Sequence, residues 1–336
     1  MRTQARVSRR HVTAAVAFVV LCPVWAAAQT VRWGQILDQP AGWYGSREAI
    51  AIAGIVRQWQ RADGGWPKDV DMSAQPAGTA ARPPKIPDST IDNGSTVTQI
   101  RFLDRVFAAA GETRDREAAV RGVDYLLAAQ YMNGGWPQFY PLRNDYSRHI
   151  TFNDDAMMGV VSLLEEIAAG RAVSTAGDAR RSRASTAIER ATDLVLRAQV
   201  RVNGQLTAWC AQHDAVTLEP RPARSYEHVS LSGRESVEIV RFLMRRPPRP
   251  EIVAAVDGAV GWLTQVRLDE GRWARFYEIG SNRPIYSGRD GIVRYDISQI
   301  EAERRTGYAW SGTWPERLVA IEYPRWRARV SASPAR

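Results

Sequence analysis

Cysteine is nearly missing from this 336-residue chain, with Cys22 and Cys210 its only two, and Cys22 falls in an N-terminal segment that reads as removable. Cys210 then stands alone, so no intrachain disulfide can form. Its neighbours Trp209, Gln212 and His213 invite a nucleophile, but a lone cysteine on an apolar turn reads better as core. Histidine is as sparse: His11, His149, His213 and His228 lie far apart. No Cys/His cluster has the spacing of a zinc site. The 45 basic residues include only Lys68 and Lys85 as lysines. Beyond the N-terminus no apolar run approaches the roughly 20 residues that cross a bilayer.

What the N-terminus does contain is a targeting pattern over residues 1–28. Arg2, Arg6, Arg9 and Arg10 form a basic start, Val12 to Val24 an apolar stretch, and Ala26-Ala27-Ala28 a small-residue cleavage site. Ser8-Arg9-Arg10 hints at twin-arginine export, and ordinary Sec export fits equally. Cleavage leaves 41 basic against 36 acidic residues, a net +5. Arginine's planar fork suits bidentate contact with carboxylate or phosphate. For an exported protein this favours an acidic extracellular polymer over nucleic acid, although a genome that spells basic residues as arginine would give the same composition.

A repeat organises the remainder. Gln60 precedes Gly64-Gly65-Trp66-Pro67, and Gln130 precedes Gly134-Gly135-Trp136-Pro137 at the same distance. Weaker copies run from Gln199 through Gly204 to Trp209, and from Gln265 through Gly271 to Trp273. The glutamines are 70, 69 and 66 residues apart. A unit of that length holds two antiparallel helices and a loop, so four units imply an α/α toroid whose loops make a binding face. Periodicity predicts helices over 47–60, 97–110, 116–130, 156–167, 184–199, 234–246 and 251–266. Residues 73–90 form a Pro-rich loop, 170–183 a polar linker, and the text after Gly271 an irregular, partly extended lobe. The catalytic unit is expected over 29–324, with a frayed basic tail over 325–336.

The stretch around the second turn carries the candidate chemistry. Its Gly-Gly-Trp-Pro turn is expected to expose aromatic surface, and it leads to Asp154-Asp155 at the start of a helix. Asp92 stands in the same context after the first turn. Carboxylates from two converging loops suit a hard cation such as calcium, and two helix caps are the plainer explanation. Arg224, Arg275 and Arg289 each sit in turn-like, aromatic surroundings and would complement an anionic substrate. Most of the tryptophans read as core.

The motifs Asp92-Asn93-Gly94-Ser95-Thr96, Gly134 to Pro141, Ile150 to Met157, Trp209 to His213, Pro222 to Glu227 with Ser230 to Ser236, and Ser287 to Gly291 through Glu303 to Trp310 together resemble the bacterial pectate lyases of polysaccharide lyase family 10. The resemblance spans about residues 45 to 320. It implies an α/α toroid-like module that cleaves de-esterified homogalacturonan by calcium-assisted β-elimination, acting as an exported monomer. It also implies calcium on Asp92, Asp154 and Asp155, with Arg289 as the base. Arg224 and Arg275 become clamps on substrate carboxylates, and Asp92, Asn93 and Tyr277 further substrate contacts. Arginine as a base is awkward, since its reference pKa is about 12.5–13.8 and its surroundings would have to depress it.

Three other readings remain. The repeated turn also resembles that of triterpene cyclases, but these arginine-rich loops lack the acidic donor cluster and apolar channel a cyclase needs. A non-catalytic pectin-binding protein on the same scaffold is the stronger alternative. A hydrolase would set Asp92 and Asp154 across the scissile bond.

Overall fold

Helices form where the apolar spacing predicts them. In the computed structural model, which describes residues 31–75 and 87–332, they are α1 (Arg47–Trp59), α2 (Val97–Ala110), α3 (Thr113–Ala129), α4 (Ala156–Ala168), α5 (Asp178–Ala198), α6 (Glu235–Met244) and α7 (Pro250–Gln265), followed by the short α8 (Ala302–Thr306) and α9 (Tyr323–Ala332). Residues 1–30, which include the expected targeting segment, the middle of the Pro-rich loop (76–86) and the last four residues lie outside the described residues.

Local chemistry sets the ends. The Ser46 hydroxyl caps α1 by accepting from Ala49 N at 3.1 Å, and Pro250 opens α7. Gly111, at φ +76°, closes α2 with its N–H on Phe107 O.

The helices make two layers, as the toroid reading requires. Helices α2, α4 and α6 contact one another in sequence, and α1, α3, α5 and α7 do the same around them. Pairs α2–α3, α4–α5 and α6–α7 are the hairpins. Composition explains the sorting. On α4, Ala156, Met157, Met158, Val160, Val161, Leu163, Leu164 and Ile167 are all buried, which suits an inner position. On α5 only one stripe is buried, including Ala184, Ala187, Ile188, Ala191, Leu194, Val195 and Ala198, as in an outer helix.

The repeated turn is what locks each outer helix to the next. Gln60 Nε2 donates to Gly64 O in its own turn and to Ala118 O on α3, both at 2.9 Å. Gln130 does so to Gly134 O and to Ala187 O on α5, at 3.0 and 2.9 Å, and Gln199 to Thr207 O and to Ala255 O on α7, at 2.8 and 2.9 Å. The indole N–H groups of Trp66, Trp136, Trp209 and Trp273 donate back to Val56, Leu126, Val195 and Leu263 carbonyls. These indoles are fully buried, so the turns expose no aromatic surface and that expectation is corrected. The backbone approach also requires glycine: a Cβ on Gly134 would lie 2.1 Å from Arg190 O, and φ there is +103°.

Short strand pairs then stitch each loop to the following one. An isolated bridge joins Thr90 to Phe139, β1 (Ile150–Thr151) pairs with β4 (Gln212–His213), and β5 (Leu231–Ser232) with β7 (Phe276–Tyr277). The hairpin β2 (Arg201–Val202)–β3 (Gln205–Leu206) closes the third turn. Further on, β6 (Trp273–Ala274) pairs with β10 (Ser311–Gly312), and β8 (Tyr286–Ser287) with β9 (Val293–Arg294).

Two stretches are more ordered than their composition suggests. The polar segment 170–183 contains the first turns of α5, built of good helix formers and tied to α3 by Arg180 on Asp124 at 2.9 and 2.7 Å. Rather than fraying, the basic tail forms α9, with Trp326 buried and the Tyr323 hydroxyl on Asp257 of α7. The text after Gly271 is extended and irregular, around a small core of Ala211, Phe276, Ile285, Ile300 and Trp310. It belongs to the same compact unit as the helices.

Candidate active site

Inner helices α2, α4 and α6 begin at one end of the toroid, and their first turns meet there. Asp92-Asn93-Gly94 and Asn153-Asp154-Asp155 are single 3-10 turns of the same form, each with a left-handed middle residue, Asn93 at φ 51° and Asp154 at φ 50°. Asp155 follows at φ 59°. Left-handed backbone costs roughly 1–3 kcal/mol per non-glycine residue, least for Asn and Asp. The two turns contact each other, and the second also contacts α6.

Asp92 is buried. Its Oδ2 accepts from Lys68 Nζ at 2.5 Å, while its Oδ1 has no hydrogen-bond partner among the described residues. Burial works against the Lys68 charge, but the bond and charge of Asp92 outweigh it and raise the ammonium pKa. Asn93, beside it, is exposed and donates to Asp69 at 3.0 Å.

Asp154 is held in a denser network. Its Oδ1 accepts from Arg234 Nη1 and, at 3.1 Å, from Arg275 Nη2, and its Oδ2 accepts from Asn153 Nδ2 at 2.7 Å. Arg275 Nη2 also donates to Glu235 Oε1 at 2.5 Å and to Asn153 Oδ1 at 3.0 Å. Glu235, fully buried, takes the Ser232 hydroxyl on its other oxygen. Burial would raise the Asp154 pKa, but Arg275 and Arg234 outweigh it and hold the carboxyl below the usual range. Asp155 goes the other way: burial, then Glu235 and Glu238, push it up to about 6.

A second wall comes from the C-terminal text. Arg224 donates to Glu227 at 2.8 and 2.5 Å, and the Tyr308 hydroxyl donates to the same carboxylate at 3.1 Å. Tyr308 lies under the Arg275 guanidinium at 4.9 Å, joining this wall to the acidic network. Tyr146 feels the charges of Arg224 and Glu227 on one side and of Lys68 and Asp92 on the other.

The structure thus gathers Asp92, Asn93, Asp154, Asp155, Arg224 and Arg275. Tyr277 and Arg289 do not join this hydrogen-bonded network, although Gly291 in the Arg289 loop packs against Ser225 beside Arg224. Tyr277 is fully buried, its hydroxyl donating to Val266 O and accepting from Ala274 N, so it braces the fourth turn and has no face for substrate. Arg289 sits on an exposed loop, side chain 69% accessible, with its Nε on Glu303 at 2.8 Å. That hydrogen bond, then the Glu303 charge, raises its pKa, the opposite of what a base requires. Sequence reasoning assigned no role to Lys68, Asn153, Arg234, Glu235, Glu227 or Tyr308. The third inner-helix start, Ser232-Gly233-Arg234-Glu235, is the counterpart of the two acidic turns, and the helical repeat could have located it.

The model of the pectic acid lyase family matches residues 60–272 and 268–319. The chain belongs to this family. Among solved structures, the family 10 polysaccharide lyase from Cellvibrio cellulosa shares 35% sequence identity with it, over 84% of this chain and 94% of that one, at a TM-score of 0.74. An aspartate-to-alanine mutant of that lyase in complex with trigalacturonic acid aligns at the same identity and TM-score, over 84% of this chain and 95% of that one. No curated protein matches the sequence significantly. The family relationship bears out the α/α toroid and makes the protein a polysaccharide lyase.

Calcium fits this site only in part. Calcium takes six to eight oxygens. Among the described residues no three His, Cys, Asp or Glu side chains gather in a metal-holding group. Asp92 offers a buried, unpartnered oxygen, whereas both oxygens of Asp154 are engaged. That donor set suits a cation completed by substrate carboxylates and water, and not a caged structural ion.

Proposed function

We propose that the protein cleaves de-esterified homogalacturonan by calcium-assisted β-elimination, releasing 4,5-unsaturated oligogalacturonides. The observation that carries this reading is the unpartnered Asp92 oxygen, set beside Lys68 and close to a second carboxylate-and-guanidinium network. Such an arrangement complements a chain of carboxylates with a cation between them. The trigalacturonic acid bound by the Cellvibrio mutant lends the same substrate class. The catalytic unit is read as residues 29–324, exported by the 1–28 segment and working as a monomer. Among the described residues, no helix is long and apolar enough to cross a membrane.

Asp92 and Asp154 would hold the calcium, with Asp155 behind them. Calcium held there would neutralise a galacturonate carboxylate and so make the neighbouring C5–H more acidic. Arg275, fixed by Glu235, Asn153 and Tyr308, stabilises the same enolate-like charge without having to reorganise. The C5–H bond breaks to the base, its electrons form the C4–C5 double bond, and the C4–O bond breaks toward the departing chain.

For the base, burial alone separates Arg224 from Arg289, since a carboxylate raises the pKa of each. Deprotonating an arginine requires loss of solvent and of anionic partners. Arg224 is less exposed than Arg289, 42% against 69%, and packs over Tyr226 at 4.8 Å. Its hydrogen bond to Glu227 raises its pKa in the free protein, so turnover requires that pair to open.

The experiment is ultraviolet absorbance on mature protein with polygalacturonate, calcium, and then a chelator. A rise with calcium that the chelator stops supports the lyase. Rising reducing ends without absorbance would replace it with a hydrolase, and silence in both assays with retained polymer would leave a binding protein. Arg224→Lys should keep substrate binding and lower turnover at least about 100-fold.

A further inference from the structure

The turn that carries Asp92 also forms one wall of a separate cavity of about 390 Å³. Trp33, with Arg32 beside it, Asp69, Asp71, Asn93 and Gln99 line it. We propose that this cavity is a further sugar subsite, taking the residue of the polymer next beyond those held at Asp92. The inference rests on the pectate reading above and adds a binding site to it.

Four observations converge on a sugar. Gln99 is 1% exposed, and its Oε1 has no hydrogen-bond partner among the described residues. Its Nε2 meets only the Met72 sulfur, at 3.5 Å. A buried acceptor left unsatisfied costs about 1–3 kcal/mol, and a ligand hydroxyl would satisfy it. Trp33 is partly exposed and fixed edge-on against Phe102 at 5.9 Å, so a ring is already positioned to stack on a pyranose face. Asp69 and Asp71 are acceptors for the remaining hydroxyls, while Arg32 supplies the one cationic group for a uronate carboxylate. Finally, Asn93 lies both in this wall and in the Asp92 turn, which sets the cavity beside the candidate site.

A larger cavity of about 680 Å³ runs along α7, far from this chemistry, and no orphaned buried polar group lies in its wall among the described residues. Trp33 and Arg32 precede residue 60, where the family match begins, so the subsite uses residues that match does not include.

Chain length is the readout. Trigalacturonate and hexagalacturonate are compared on the mature protein by formation of unsaturated ends and, in parallel, by calorimetric binding. Wild type favours the hexamer, and Trp33→Ala should cut the hexamer-to-trimer ratio of kcat/KM about tenfold, with Trp33→Tyr restoring most of it. Gln99→Met should cut the same ratio several-fold, and it serves if Trp33→Ala does not fold. A ratio unchanged in folded Trp33→Ala and Gln99→Met overturns the subsite. If wild type forms no unsaturated ends, the lyase reading fails, and the binding ratio alone decides the subsite by the same criterion.

Discussion

The loops at one end of the toroid contain two kinds of turn that work in opposite ways. Where outer helices end, four turns repeat one design, in which a tryptophan bonds back to the helix it leaves. In the first three a glutamine amide also ties the turn to the next helix. Where inner helices begin, the residues differ from unit to unit: Asp92-Asn93-Gly94 and Asn153-Asp154-Asp155 share a left-handed 3-10 form, whereas Ser232-Gly233-Arg234 leads into α6 without one. Repetition marks what every unit needs to pack. Variation at an equivalent position marks where each unit supplies a different group to one site.

The largest effect should separate the two kinds of turn completely. Asp92→Ala removes the buried carboxylate with the unpartnered oxygen, and should lower turnover about 100- to 1,000-fold, the scale of losing one transition-state contact. Stability should hardly suffer, because the variant removes an unsatisfied buried group along with its Lys68 pair. Steady-state rates and a thermal melt on one preparation check this. A melting temperature lowered by more than about 3 °C would place Asp92 with the scaffold.

Changes at the repeated turn should do the reverse. Gly134→Ala puts a methyl against Arg190 O and forces alanine to φ +103°, and should cost about 2–3 kcal/mol in a denaturant titration. Gln130→Leu strips the donor from Gly134 O and Ala187 O, and should cost about 1–2 kcal/mol. Both should leave kcat per folded molecule within about twofold of wild type. A turnover loss larger than the folding loss would show that the turn reaches into the site.

How much the sequence could reveal follows the same division. The glutamine interval located the scaffold because backbone geometry imposes it, and Gly134 tolerates no substitute. The aromatic surface expected at those turns failed because each indole is spent on its own helix carbonyl. Asp92 and Asp154 were legible as acids ahead of apolar helices. Glu235 was not, since a glutamate in the first turn of a helix reads as a response to the helix dipole. Only three-dimensional proximity to Arg275, forty residues later, distinguishes it. Tyr277 misled for the opposite reason: an aromatic two residues from Arg275 reads as part of the same site, but its ring is buried and its hydroxyl is engaged by Val266 O and Ala274 N.

The smallest expected effect tests the arginine that sequence likeness singled out most. Arg289 is exposed and paired with Glu303, and exposed pairs contribute about 0–1 kcal/mol. If the site is confined to the meeting point of the inner helices, Arg289→Ala should change kcat/KM on polygalacturonate by less than about threefold, against the far larger loss at Arg224. Measuring both variants over a range of salt separates steering from chemistry, because an exposed guanidinium that merely attracts the polymer loses its influence as salt rises. A loss at Arg289 that equals the Arg224 loss and persists in high salt would mean that the exposed loop swings onto the substrate. The site would then extend beyond the rigid turns, and the inner-helix starts would no longer define its limits.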